Sequence, residues 1–215
     1  MGNTFEYLIG SADVGEESAT NLYKQFRIQD MTYNLSSDQQ IPIVMPGDAL
    51  TGDGFGNNEY GKASIGYLAM KDMLGDELFK KCLLAYMDRW HGKHPTPWDF
   101  FYTFNNVTEK NLNWFWNNWF FSTHYIDLAL TDVKSKGNNY ILTIKNIGGM
   151  CAPVDVIATY DDGSTEKFHQ TPAMWMNDQT QTTVNINAKK SVKSFTLDGG
   201  IWMDADESNN SWSAK

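Results

Sequence analysis

Two cysteines, six prolines and no uncharged apolar run close to the length of a membrane span mark this 215-residue chain by what it has little of. A transmembrane helix needs about 20 consecutive apolar residues, so no such helix is expected. The start "MGNTFEYL" also lacks the basic head and long apolar middle of a signal peptide. Cys82 and Cys151 are far apart in sequence, and Cys82 falls on the apolar side of an expected helix beside Leu78 and Tyr86. Both are read as buried thiols, not as a disulfide. Basic residues are scarce too: 17 Lys and Arg against 26 Asp and Glu give a formal charge of -9. That balance argues against nucleic acid or an anionic membrane as partner, because phosphate binding draws on clustered Lys and Arg. The one basic cluster, "KKSVK", is too short to form such a face.

What the chain does have is enough apolar material, 41% of residues, to bury real cores. Two periods divide it. Up to about residue 125 the apolar spacing is helical. Ile65, Leu68, Ala69 and Met73 recur after the turn-rich "TGDGFGNN", which places Tyr60 at a helix start. Phe79, Leu83, Tyr86 and Trp90 follow an expected N-cap at Asp76. "TPWD" supplies Thr96 as N-cap, Pro97 at the first helical position and Asp99 three residues after the cap, a capping-box start. Thr108 is expected to cap the next helix, in which Leu112, Phe115, Trp116 and Trp119 share a face.

From about residue 126 the period becomes two, with Tyr140, Leu142 and Ile144 on one strand face and Val154, Val156, Ala158 and Tyr160 on another. Turn signals at "SKGNN", "DDGS" and "LDGG" separate six or seven short strands. The expected fold class is therefore α+β in two regions: an all-α helical region over 1–125 and a small antiparallel β-sandwich over 126–215. No low-complexity linker parts them, so the two are expected to pack together.

Several kinds of chemistry are missing. His91 and His94 stand three apart in "HGKH", but Gly92 and Pro95 break the helix that would present them together, so solvent-facing imidazoles are expected. "DADESNN" offers Asp204, Asp206 and Ser208 at alternate positions, yet Asn209 and Lys215 stand where a calcium loop wants glycine and glutamate. Trp114, Trp116 and Trp119 could form an exposed stripe that stacks on sugars or peptides. Core packing is the reading their spacing favours.

Longer stretches resemble a known family. "NNEYGKASIGYLAMKDMLGDELFKKCLLAYMDRWHGKHPTPWDFF", then "LNWFWNNWFFSTHYIDLAL", is similar to the part of aminopeptidase N family zinc metallopeptidases (gluzincins) that follows the zinc site. The marks are Y-x-K at Tyr60 to Lys62, "LG" with "LF", the "KHPTPWDFF" start and the W-F-W-x-x-W helix. "LDGGIWMDADESNN" resembles the closing strand of the family's sandwich domain.

The resemblance implies that Tyr60 is catalytic: the family's Y-x-K-G tyrosine lies beside the zinc and donates a hydrogen bond to the oxyanion formed when water attacks the peptide carbonyl. Here Ala63 replaces the motif's final glycine. That change leaves the donor in place. The same resemblance implies zinc ligands from H-E-x-x-H and a later glutamate, and no H-E-x-x-H occurs in the sequence. "GNTFEYL" is similar to the segment just after that glutamate. The expectation is a C-terminal portion of a zinc aminopeptidase-like enzyme, holding no metal or cofactor itself and inactive alone. Its partners would be an upstream zinc-binding domain and a peptide substrate, and zinc would sit in the full-length parent. An acidic, cysteine-poor peptidase fits a periplasmic or secreted home, and the deciding signal would lie upstream. Alternatives are a non-catalytic peptide- or glycan-binding module, or an interaction scaffold.

Overall fold

The computed structural model describes residues 1–28, 41–49 and 57–214. Among the described residues six α-helices come first: α1 Gly2–Val14, α2 Glu16–Tyr23, α3 Ala63–Leu74, α4 Asp76–Trp90, α5 Pro97–Thr108 and α6 Asn113–Phe120. A π-helical turn, Lys24–Ile28, continues α2, and another, Asn57–Lys62, runs directly into α3. The glycine-rich stretch over 51–56 lies outside the described residues.

Helix boundaries follow local chemistry. At α5 the capping box forms as the sequence predicts, with the Thr96 amide donating to Asp99 Oδ2 at 2.7 Å and Pro97 at the first position. Two other boundaries differ from expectation. Asp76 is the first residue of α4, and Gly75, at φ 76°, is the cap. Asp76 instead forms an ion pair with Lys71. Thr108 ends α5 and does not start α6: its hydroxyl donates back to the Phe104 carbonyl at 2.8 Å, and Glu109 in the left-handed region stops the helix.

Seven strands follow, β1 Leu128–Lys136, β2 Asn139–Asn146, β3 Val154–Tyr160, β4 Thr165–Gln170, β5 Gln181–Asn187, β6 Val192–Asp198 and β7 Ser211–Ser213. They form two antiparallel sheets, ordered β1-β2-β5 and β4-β3-β6-β7. Alternation decides the packing: Tyr140, Leu142 and Ile144 of one sheet and Val154, Val156, Ala158 and Tyr160 of the other are buried in one shared core with Trp175 and Phe195.

The helical core is strongly aromatic. Phe100, Phe101, Phe104, Phe115, Trp116, Trp119 and Phe120 are all buried there, with edge-to-face and stacked contacts throughout. Trp114 is partly buried and touches both cores. The three tryptophans therefore offer no exposed stacking stripe. Cys82 and Cys151 are buried free thiols, and burial pushes them up to about 11 and about 12.

The two regions are sewn together by side chains reaching across. Trp119 Nε1 donates to the Cys151 carbonyl at 3.2 Å, and Trp202 Nε1 to the Ile65 carbonyl at 3.1 Å. Ile201, Trp202 and Met203, from the loop after β6, join the helical core. The last loop also fixes the first strand, since Asp204 Oδ2 accepts from the Leu128 amide at 2.8 Å. In "DADESNN" the Asp206 carboxylate accepts from Ser208 and caps a short 3-10 turn, which is the structural work those acids do.

Candidate active-site wall at the start of α3

On the π-helical turn Asn57–Lys62 the two named side chains of the Y-x-K motif differ sharply in burial. Tyr60 is 54% exposed, whereas Lys62 is only 4% exposed. Tyr60 thus stands at the surface at the head of α3, and Lys62 is buried. Ala63, the departure from the family's glycine, is buried behind the turn.

Below Tyr60 a polar cluster joins the helices to the sandwich. Lys62 Nζ donates to the Ser122 carbonyl at 3.3 Å. Ser122 Oγ in turn donates to the Asn118 carbonyl, so the end of α6 holds the residue that receives Lys62. Asn118 is the hub. Its Oδ1 accepts from the Cys151 amide at 2.8 Å, which fixes the amide orientation, and its Nδ2 then faces the Gly149 carbonyl at 2.8 Å and Gln179 Oε1 at 3.1 Å. The same Nδ2 lies 3.3 Å from His124 Nδ1. Gly149, at φ 84°, lets the imidazole lie flat against its backbone: a Cβ there would sit 2.8 Å from a His124 ring carbon.

Electrostatics in this cluster follow from burial. Desolvation lowers Lys62 from 10.5 to about 8. His124 is also lowered, by burial first and then by the Lys62 charge. A depressed lysine means that folding works against its charge. The resulting cost is full below about pH 8 and fades as pH rises from there to 10.5, the unfolded value. The gap corresponds to about 3 kcal/mol. Lys62→Met removes the charge but leaves the Ser122 carbonyl without this donor, a loss of about 1 kcal/mol. The variant should therefore be about 2 kcal/mol more stable than the parent at pH 7, with the advantage vanishing by pH 10.5. Urea unfolding of both forms at pH 7, 9 and 10.5 measures it. A Met variant less stable than the parent at pH 7 would contradict this account.

The other histidines lie apart from Tyr60's turn. His91 and His94 are exposed, and His91 Nδ1 rests on the Met87 carbonyl at 3.0 Å. His169 bridges two carboxylates, Asp72 and Asp155, across the helix–sandwich boundary. Among the described residues no group of three or more His, Cys, Asp or Glu is placed to hold a metal ion.

With that geometry in view, residues 3–119 match the Peptidase family M1 domain, more than half of the chain. The chain belongs to peptidase family M1. The solved Legionella pneumophila aminopeptidase A in complex with aspartic acid superposes with a TM-score of 0.51 at 19% identity, covering 67% of this chain. At that identity the likeness shows the fold. The M1 chain described here covers only 17% of that structure's length. No curated protein matches it.

The membership agrees with the motifs that carried the resemblance, and the structure adds residues that sequence reading passed over. Lys62 counted only as part of a motif, and Asn118 was not singled out at all. Neither local pattern signals burial. The pairing of Asn118 with Cys151 spans 33 positions and becomes visible only once the sandwich is in place.

Proposed function

We propose that this chain is the portion of an M1 metallopeptidase that follows the zinc site, with residues 1–125 completing the catalytic domain and 126–215 forming the sandwich domain behind it. Tyr60 is its catalytic residue, and zinc is held by an upstream part of the parent. The observation that carries the reading is the placement of the Y-x-K tyrosine: an exposed phenol at the head of α3, on a turn anchored from beneath by buried Lys62. A phenol with a pKa near 10 remains a donor at neutral pH, and it stabilises charge that develops only in the transition state. The substrate class is a peptide or aminoacyl amide. Side-chain preference and recognition of the free amine belong to residues upstream.

The test is turnover by parts. The isolated chain should hydrolyse no chromogenic aminoacyl anilide above background. Joined to the H-E-x-x-H-bearing part of an M1 peptidase, it should hydrolyse the substrate and lose that activity to a chelator. Turnover by the isolated chain would overturn the reading, as would a folded joined protein that is inert with zinc bound.

A further inference from the structure

A cavity of about 630 Å³ lies between the helices and the sandwich, away from Tyr60's turn. Its helical wall includes Tyr7, Leu8 and Leu68, and its sandwich wall includes Val154, Ile201 and Trp202. Across its edge runs a three-residue bridge. His169 of β4 presents Nδ1 to Asp155 Oδ1 of β3 at 2.7 Å and Nε2 to Asp72 Oδ1 of α3 at 2.8 Å. Both ring nitrogens face carboxylates, and a neutral imidazole has only one N–H. With both carboxylates ionised, satisfying both contacts requires the imidazolium.

We propose that His169 is a proton-operated latch that fastens the last turn of α3 to the sandwich and opens the cavity edge when it loses its proton. Asp72 and Asp155 stand 83 positions apart in sequence and on different regions of the fold, so the proton joins the regions and not merely neighbouring strands. The β3–β4 register sets His169 opposite Asp155, whereas Asp72 comes from a helix of the other region.

The charged surroundings favour this. Lys167 of β4 holds the other Asp155 oxygen at 2.6 Å, and Lys71 beside Asp72 is engaged with Asp76. Glu16 and Glu17 of α2, Lys24 of the turn after it and Asp198 at the end of β6 line the same cavity. Burial by itself would lower His169, but the hydrogen bond to Asp155 and the charge of Asp72 outweigh it, and the net shift is upward from 6.5. Asp72 is shifted upward as well, because its desolvation exceeds what His169 returns, and its Oδ2 is buried without a partner. Deprotonating the histidine thus leaves one buried carboxylate with still less compensation.

A histidine raised by folding contributes stability that is fully present below 6.5 and is lost as pH rises through its folded value. The latch is closed in mild acid and open in mild base.

The test is an NMR titration of the His169 ring in the full chain, with amide exchange along α3 and β4 followed over pH 5.5–9 and corrected for intrinsic base catalysis. The His169 midpoint should lie above 6.5 and fall in Asp72→Asn. Corrected exchange in the last turn of α3 should quicken several-fold above the midpoint. In His169→Gln, which keeps amide donors and cannot titrate, that exchange should be independent of pH. If Asp72→Asn does not fold, the wild-type midpoint and the Gln variant decide. A wild-type midpoint at or below 6.5 overturns the latch, as does a midpoint unchanged in folded Asp72→Asn or the same pH-dependent exchange in His169→Gln.

Discussion

Replacing Tyr60 by Phe in a joined, zinc-bearing M1 protein should lower kcat and kcat/KM together by about 100- to 1,000-fold, equivalent to about 2.7 to 4 kcal/mol. KM and the melting temperature should barely move. Tyr60 is more than half exposed and a Phe ring keeps its bulk, so the bonds from Lys62 to Ser122 and from Ser122 to Asn118 stay in place. A hydroxyl that met substrate equally in ground and transition states would change KM instead. Thermal melts beside steady-state kinetics separate a catalytic tyrosine from a structural one. Should Tyr60→Phe melt early while its folded fraction works at full rate, the residue is structural.

The largest stability effect is expected at the seam between the regions. Trp119→Ala should cost about 3 to 5 kcal/mol, the range for deleting a fully buried large aromatic side chain. Three features put it at the upper end. Trp119 stacks on Phe115 at 5.9 Å, donates to the Cys151 carbonyl across the seam, and packs so closely on α3 that a Cβ at Gly66 would sit 3.1 Å from its ring. Deletion leaves a cavity and an unpaired buried carbonyl together. Against a typical total stability of about 5 to 15 kcal/mol this is a large fraction. Trp98→Ala makes the control, because that ring is 49% exposed. Urea unfolding should show a far smaller loss there, and equal losses at the two positions would contradict this view of the seam.

Much of this fold was legible in the sequence because local chemistry and burial agree. The strict alternation from Val154 to Tyr160 can be satisfied only by a strand with one buried face, and Thr96, Pro97 and Asp99 specify a helix start nearly unaided. The errors arose where two local solutions compete. Thr108 has a residue type suited to an N-cap, yet bonding back to Phe104 ends α5 equally well, and Glu109's left-handed turn decides. Gly75 and Asp76 pose the same choice, which the positive φ of Gly75 resolves.

The candidate site was legible only in part, for a different reason. Tyr60's position at a helix head follows from the turn-to-helix change in pattern, but the inward course of Lys62 depends on a carbonyl 60 residues away. His169 illustrates the same limit, since its second carboxylate lies 97 residues distant on α3. Sequence spacing reports neighbours on one element. Polar residues that join elements are set by tertiary geometry, and in this chain those residues tie the Tyr60 turn and the cavity edge to the sandwich.

The measurement that bears most directly on the central claim is a structure of the joined zinc-bearing protein with a transition-state analogue carrying a tetrahedral oxyanion mimic. The account predicts the Tyr60 hydroxyl about 2.7 to 3.1 Å from the analogue's oxyanion, donating to it from the head of α3. A bound analogue whose oxyanion takes its hydrogen bonds elsewhere, with the Tyr60 hydroxyl out of reach, would contradict it.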